Sequence, residues 1–261
     1  MRFNKLVLFV CICFLANIAS AQKTWEKPLQ KWSKDDALRI LSESPWAQSY
    51  QSAAAAVLAE QSQTARDQAD QRILMRPEIS RTSRQLGAQP VVVRLQSGLP
   101  IRQALVRLQQ IEANYDKMNE EQRAKFDVRT KEFLDCPVCQ NYYVVTLTKF
   151  RKTSTEGVDD AMFQTLKLED LKGNIHLVNE KGEKSELAHY IAGTRPGESA
   201  VLFFPKKDNK GNQLFSQQDE LFKIAFSNIF LQNRTNPYSY LLPRSFDFKV
   251  SKMMINNALN F

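Results

Sequence analysis

A chain of 261 residues with a formal charge of +8, 43% hydrophobic residues and eight glycines is long enough for one or two domains with a real core. It carries no repeat of 20 to 50 residues, which excludes solenoids and propellers. Its Lys and Arg form no compact block interleaved with aromatics, so it lacks the footprint of a nucleic-acid binder.

The first segment reads as an address. Arg2 and Lys5 precede an uncharged apolar run from Leu6 to Leu15, and Ala19-Ser20-Ala21 follows as a small–x–small junction. This is the pattern of a cleavable secretory signal peptide over residues 1–21, leaving Gln22 as the new N-terminus. A membrane-spanning helix wants about 20 apolar residues, and Asn17 breaks this run early. Cys11 and Cys13 sit inside the run rather than after it, which argues against a lipoprotein junction. Cleavage removes Arg2 and Lys5 and lowers the formal charge from +8 to +6. It also leaves Cys136 and Cys139 as the only cysteines. The mature chain is expected in the periplasm or outside the cell.

Residues 22–50 are expected to carry one short helix flanked by tryptophans. Ser33 and Asp36 form a capping box; Ala37, Ile40 and Leu41 follow at helical spacing, and Pro45 ends the helix near Ser44. All three tryptophans of the chain, Trp25, Trp32 and Trp46, lie in this segment. They either clamp the helix onto the main body or form a candidate binding surface for sugar, peptide or lipid. Residues 51–89 are rich in Gln, Arg, Ser and Asp, a composition that buries little apolar surface and reads as a flexible connector.

The main domain is expected over residues 90–261. Val91, Val92, Val93 and Leu95 predict a strand. Pro100 opens a helix with Ile101, Leu105, Leu108, Ile111 and Tyr115 on one stripe. Asn119 and Gln122 cap a second helix carrying Phe126, Phe133 and Leu134, so 90–135 reads as a strand plus a helical hairpin. From Asn141 the period changes to two. Tyr143, Val145 and Leu147, then Val201 and Phe203, then Phe222, Ile224 and Phe226, then Phe246, Phe248 and Val250 alternate with other residues as half-buried strands do. Residues 221–230 also suit a helix. Turns are expected at Lys172-Gly173-Asn174, Glu180-Lys181-Gly182, Arg195-Pro196-Gly197 and Asp208-Asn209-Lys210-Gly211. The fold class is α+β: N-terminal helices followed by an antiparallel β-sheet domain over 140–261, as a sandwich or open barrel.

The stretches Lys31-Trp32-Ser33-Lys34-Asp35-Asp36-Ala37, Ser44-Pro45-Trp46-Ala47-Gln48, Leu99-Pro100-Ile101-Arg102-Gln103-Ala104, Tyr142-Tyr143-Val144-Val145-Thr146, Phe203-Phe204-Pro205-Lys206 and Phe248-Lys249-Val250-Ser251-Lys252-Met253-Met254 follow one another in this order. In order and spacing the chain resembles a group of exported bacterial proteins of unknown function, some of them called "GWxTD domain-containing". The Gly-Trp-x-Thr-Asp motif itself is absent. The resemblance implies export and one shared architecture, and it brings no catalytic residues.

Cys136-Pro137-Val138-Cys139 is the one local motif with chemistry in it. Two cysteines three apart in an oxidising compartment suit a local disulfide. A thiol–disulfide exchange site with Cys136 as nucleophile is the second reading, although the expected helix precedes the motif and its C-terminal dipole raises a thiol pKa. A zinc site would need His176 and His189, the only two histidines, at spacings unlike those of zinc fingers. Haem attachment needs a His where Gln140 stands.

No Gly-x-Ser-x-Gly elbow and no glycine-rich phosphate loop is present. A nucleophile–His arrangement would have to use His176 or His189. The acid pairs Asp159-Asp160 and Glu169-Asp170 read as solvated turn residues rather than as acids facing each other across a cleft. The sequence therefore points to a non-catalytic module of the bacterial envelope. It requires no cofactor, and its expected partner is a protein or an envelope polymer, not nucleic acid. The alternative is a thiol–disulfide oxidoreductase.

Overall fold

The computed structural model describes residues 23–52, 89–152, 157–194, 198–208, 210–233, 236, 238, 241–256 and 258–261, with the backbone alone at 151–152 and 157–161. The expected signal peptide and all but the ends of the expected 51–89 connector lie outside them, as does the expected turn at Arg195-Pro196-Gly197.

Antiparallel strands dominate. One six-stranded sheet runs β1 (Ala47–Tyr50), β2 (Val91–Leu95), β3 (Tyr142–Lys152), β8 (Ala200–Pro205) and β7 (His189–Ile191), with β4 (Gly157–Ala161) also paired to β3. The first half of β3 pairs with β8 and its second half with β4. A four-stranded sheet runs β10 (Ser245–Lys249), β9 (Leu221–Phe226), β5 (Ile175–Asn179) and β6 (Lys184–Glu186). A small hairpin, β11 (Met254–Ile255) with β12 (Ala258–Leu259), completes the set. The sheets stay open and no closed barrel forms. Residues 221–226, which also suited a helix, are a strand.

Among the described residues three longer helices accompany the sheets: α1 (Lys34–Glu43), α2 (Leu99–Glu112) and α3 (Glu120–Asp135). Two short ones follow, α4 (Leu168–Leu171) and α5 (Asn228–Gln232). No helix among the described residues is long and apolar enough to cross a membrane. Both expected capping boxes form. The Ser33 side chain accepts from the Asp36 N–H while Asp36 accepts from the Ser33 N–H, and Asn119 and Gln122 repeat the arrangement. Each satisfies amide donors that a helix start leaves unpaired.

The core lies between the sheets. Val91, Val93, Leu95, Tyr143, Val145, Leu147, Leu202 and Phe204 belong to the same buried cluster as Leu177, Phe222, Ile224, Phe246 and Phe248. The opposite face of β2 and β3 is also covered, with Val92 and Phe150 packed against Leu38 of α1 and Leu108 of α2. The half-buried reading of residues 143–148 is thereby corrected: every residue from Tyr143 to Phe150 is buried. A central strand between a helical layer and a second sheet has no wet face, so it does not need strict polar alternation.

Residues 22–50 do not stand apart. Trp32, Ile40, Leu41 and Trp46 sit in the main core, and β1 pairs with β2 from Ala47 opposite Arg94 to Tyr50 opposite Val91. No strand was expected there. Ala-Gln-Ser-Tyr carries little strand signal of its own, and its partner supplies the template.

The stripe of α2 also differs from expectation. Ile101, Ala104 and Val106 are buried, but so are Arg102, Arg107 and Gln110, while Leu105, Leu108 and Ile111 are half-buried. Three buried arginines act as struts by donating to main-chain carbonyls. Arg94 Nε reaches Leu41 O at 2.7 Å and its guanidinium lies 5.1 Å from the Phe150 ring centroid. Arg107 Nε reaches Trp32 O at 2.9 Å and pairs with Asp116 at 3.2 Å. Arg102 is described below. Each planar fork closes several acceptors at once, which a lysine does not do.

Among the described residues Phe163 is the bulkiest of four non-glycine residues at positive φ. Phe163, fully buried, holds φ at 61°, a region that bulky residues rarely enter. Its carbonyl accepts a 2.7 Å bond from the Tyr190 hydroxyl, and its ring meets Tyr238 edge-on at 4.9 Å. Burial, with Tyr238 nearby, pushes Tyr190 up to about 12, so the hydroxyl keeps its proton and remains a donor.

Candidate functional site

The Cys136–Cys139 corner is built by the end of α3. Cys136 closes that helix in the left-handed region, with φ 49° and its N–H donating to Glu132 O at 2.9 Å. An αL residue at a helix end turns the chain sharply away from the axis. Pro137, whose ring fixes φ, then opens a short 3-10 turn over Pro137–Gln140. The Cys139 N–H returns to Cys136 O at 2.9 Å. This winding brings the two Cα atoms to 5.3 Å and the sulfurs to 1.97 Å, a bonding distance. Both cysteines are about nine-tenths buried, against Val144 of β3.

Arg102 reaches this corner from α2. Its guanidinium donates to Gln96 O and Leu134 O at 3.0 Å each and to Ser97 O, and its Nη1 lies 3.8 Å from Cys139 Sγ. Three carbonyls and one sulfur surround the cation, and no carboxylate within the described residues forms an ion pair with it. Burial pulls Arg102 down from its ordinary value, while Asp135 opposes that pull. Lys206, at the end of β8, is also lowered, first by burial and then by Arg102. Its Nζ donates to Phe261 O at 3.1 Å and lies 5.1 Å from the Tyr143 ring centroid.

Beside the corner the outer face of the large sheet loses its cover. Tyr142, Val201 and Phe203 pack against the cysteine cluster and stay half-buried. Past them lies β7, the terminal strand of the sheet path. His189 Nε2 and the Tyr142 hydroxyl are 3.2 Å apart, with the Phe203 ring 6.2 Å from Tyr142 and 6.4 Å from His189. Of the four exposed large hydrophobics among the described residues, Ile191 at 56% pairs with Val201 in this strip, and Val138 at 40% lies between the two cysteines.

The tryptophans present no such face. Trp32 is 1% exposed and Trp46 fully buried, so an aromatic binding surface made of Trp25, Trp32 and Trp46 is corrected to a packing clamp. Trp25 stands edge-on to Trp46 at 5.5 Å. Trp32 Nε1 donates to Lys27 O at 3.1 Å, and Trp46 Nε1 donates to Asn260 O. Apolar neighbours on both sides decided their placement.

His176 and His189 are separated onto different sheets, on β5 and β7. Burial lowers His176 below its usual range, Lys184 adds to this and Glu186 opposes it. No three His, Cys, Asp or Glu side chains among the described residues come together as metal ligands. Asp159 and Asp160 lie on β4 opposite Phe150 and Lys149, rather than in a turn. Asp170 accepts from the Lys167 N–H at 2.8 Å and caps α4. Arg102 is the site residue that the sequence reading missed. Its one sequence signal is an arginine one position from Ile101 near the start of an apolar helix.

Chemically, the corner can hold a reversible sulfur–sulfur bond beside a fixed cation, and the strip can bury apolar groups of a second molecule. A scan against protein-family models, a search of curated proteins and a search of solved structures each return no match for this chain.

Proposed function

We propose that the protein is an exported, non-catalytic interaction module of a bacterial envelope, working in the periplasm or outside the cell. In this reading Cys136 and Cys139 form a disulfide that fixes the corner between α3 and β3. The observation that carries it is the apolar strip of Val201, Phe203 and Ile191 on β8 and β7, at the end of a sheet whose strands β2 and β3 are covered on both faces. Contiguous apolar surface left open beside a rigid sheet is where partner chains bind, and a terminal strand offers unpaired main-chain groups to an added strand. The signal-like residues 1–21 and the resemblance to exported bacterial proteins support the compartment.

A photoreactive amino acid at position 191, compared with one at position 249 on the other sheet, tests the strip in cells of the native host. A protein or polymer adduct at 191 and none at 249 supports the reading. Equal adducts, or an adduct at 249 only, removes it.

The second reading, a thiol–disulfide oxidoreductase using the Cys136–Cys139 pair, is favoured by one observation, the guanidinium 3.8 Å from Cys139 Sγ. Catalysed reduction of a disulfide substrate, abolished in Cys136→Ser, supports it. A pair that stays oxidised through every such assay excludes it.

A further inference from the structure

The cation at the cysteine corner is placed asymmetrically. Arg102 Nη1 lies within hydrogen-bond range of Cys139 Sγ, and among the described residues it makes no hydrogen bond to Cys136. It is also a buried charge whose other partners are three carbonyl dipoles. The opposite charge that acts on it, Asp135, is more than half exposed and paired with Lys131; a buried cation so weakly compensated is costly, and a thiolate on Cys139 would compensate it. In thiol–disulfide exchange the sulfur that forms the more stable thiolate leaves faster.

We infer that the Cys136–Cys139 bond is a reducible site that opens in one direction, with Cys136 Sγ attacked by an incoming thiolate and Cys139 leaving as a thiolate held against Arg102. The incoming thiolate contributes the electron pair of the new bond to Cys136 Sγ. The electron pair of the old bond departs on Cys139 Sγ, so no proton is needed in that step. With a dithiol reductant, its second thiolate then attacks its own sulfur in the mixed disulfide and releases Cys136, completing a two-electron reduction. The inference rests on the proposed disulfide. It refines the oxidoreductase reading, since Cys136 carries the mixed disulfide while Cys139 is the group that the fold stabilises.

The charged groups around Cys139 do not cancel this bias. Asp135 at the end of α3 acts on Arg102, but its carboxylate is 54% exposed and paired with Lys131. Lys206 adds a second positive charge near Arg102. His189 is in contact with Tyr142 and Phe203 across the strip. From the main chain, Cys139 receives the 3-10 turn, whose amide geometry is short and local.

The test uses the whole exported protein. Intact mass before and after reduction first establishes the bond; two free thiols in the natively exported protein would end the disulfide reading itself. The oxidised protein is then treated briefly with excess glutathione, acid-quenched and alkylated, and the two cysteines are mapped by peptide mass. Glutathione on Cys136 and the alkyl group on Cys139, in at least tenfold excess over the reverse, is the expected result. An even split, or glutathione mainly on Cys139, overturns the direction while leaving the disulfide in place.

Alkylation of the reduced protein against pH provides a second readout. Cys139 is expected to titrate at least one unit below the ordinary thiol value of about 8.5, with Arg102→Met moving it back and Arg102→Lys retaining most of the shift. If Arg102→Met does not fold, the wild-type and Arg102→Lys profiles decide alone. A Cys139 midpoint at or above the ordinary value overturns the inference.

Discussion

The two flanks of the six-stranded sheet are built from similar residues and end in different states. On the β2–β3 flank, Val92 and Phe150 turn outward and are met by Leu38 and Leu108 of the helical layer. On the β8–β7 flank, Val201, Phe203 and Ile191 turn outward and keep partial or full contact with solvent. Hydrophobic character alone does not decide burial; the neighbouring element does. On the covered flank, Arg94 and Arg107 tie the helical layer down by donating to carbonyls of residues 41 and 32. Among the described residues the second flank has the cysteine corner at its border.

The contrast can be broken from the covered side first. Trp46→Ala empties a fully buried indole pocket and removes the bond to Asn260. A loss of about 3–5 kcal/mol is expected in urea unfolding. Gly98→Ala comes next. An added Cβ would stand 2.5 Å from Cδ1 of the fully buried Trp46. A loss of about 1–3 kcal/mol is expected from overpacking, and a stability equal to wild type would mean that the indole yields.

Ser33→Ala removes the acceptor for the Asp36 N–H at 3.1 Å and is expected to cost about 1 kcal/mol. Ile191→Asp, on the open flank, is expected to change stability by less than about 0.5 kcal/mol in urea unfolding. A destabilisation as large as that of Trp46→Ala would place Ile191 in the core and erase the comparison.

The smallest expected effect is a pH dependence. Burial would raise the Asp36 carboxyl, but hydrogen bonds from the Ser33 N–H and hydroxyl, with Lys27 and Arg39 nearby, outweigh it and hold the group below its usual range. A lowered folded value means that its contribution is complete above the unfolded value of about 3.9 and is lost as pH falls through the folded one. NMR titration of Asp36 in wild type and Ser33→Ala checks the sign; an upward move is expected in the variant.

Local rules were legible in the sequence, and mutual ones were not. Both capping boxes, the strand at Val91–Leu95 and the alternation of β8, β9 and β10 could be read because each depends on neighbours within a few residues. The αα pairing of 99–135 was readable for the same reason. Strand β1 and the burial of Arg102, Arg107 and Gln110 were not, since each depends on elements distant in the chain. Helix α2 is packed by both α1 and α3, which widens its buried arc beyond one apolar stripe. At the cysteine corner the pair was legible from its spacing. Its cation was not, because Arg102 lies 37 residues from Cys139.

Asn260 carries a consequence for the order in which the fold can be completed. Its main-chain oxygen takes the Trp46 indole N–H across 214 residues, and its side-chain oxygen takes the Leu99 N–H at 2.8 Å across 161 residues. Loop closure over such separations is an entropic search rather than a local event, and folds rich in distant pairings fold slowly. The indole pocket and the first turn of α2 therefore receive the same latch, and it closes late. Until residue 260 arrives, the early helix and strand have a template but no lock.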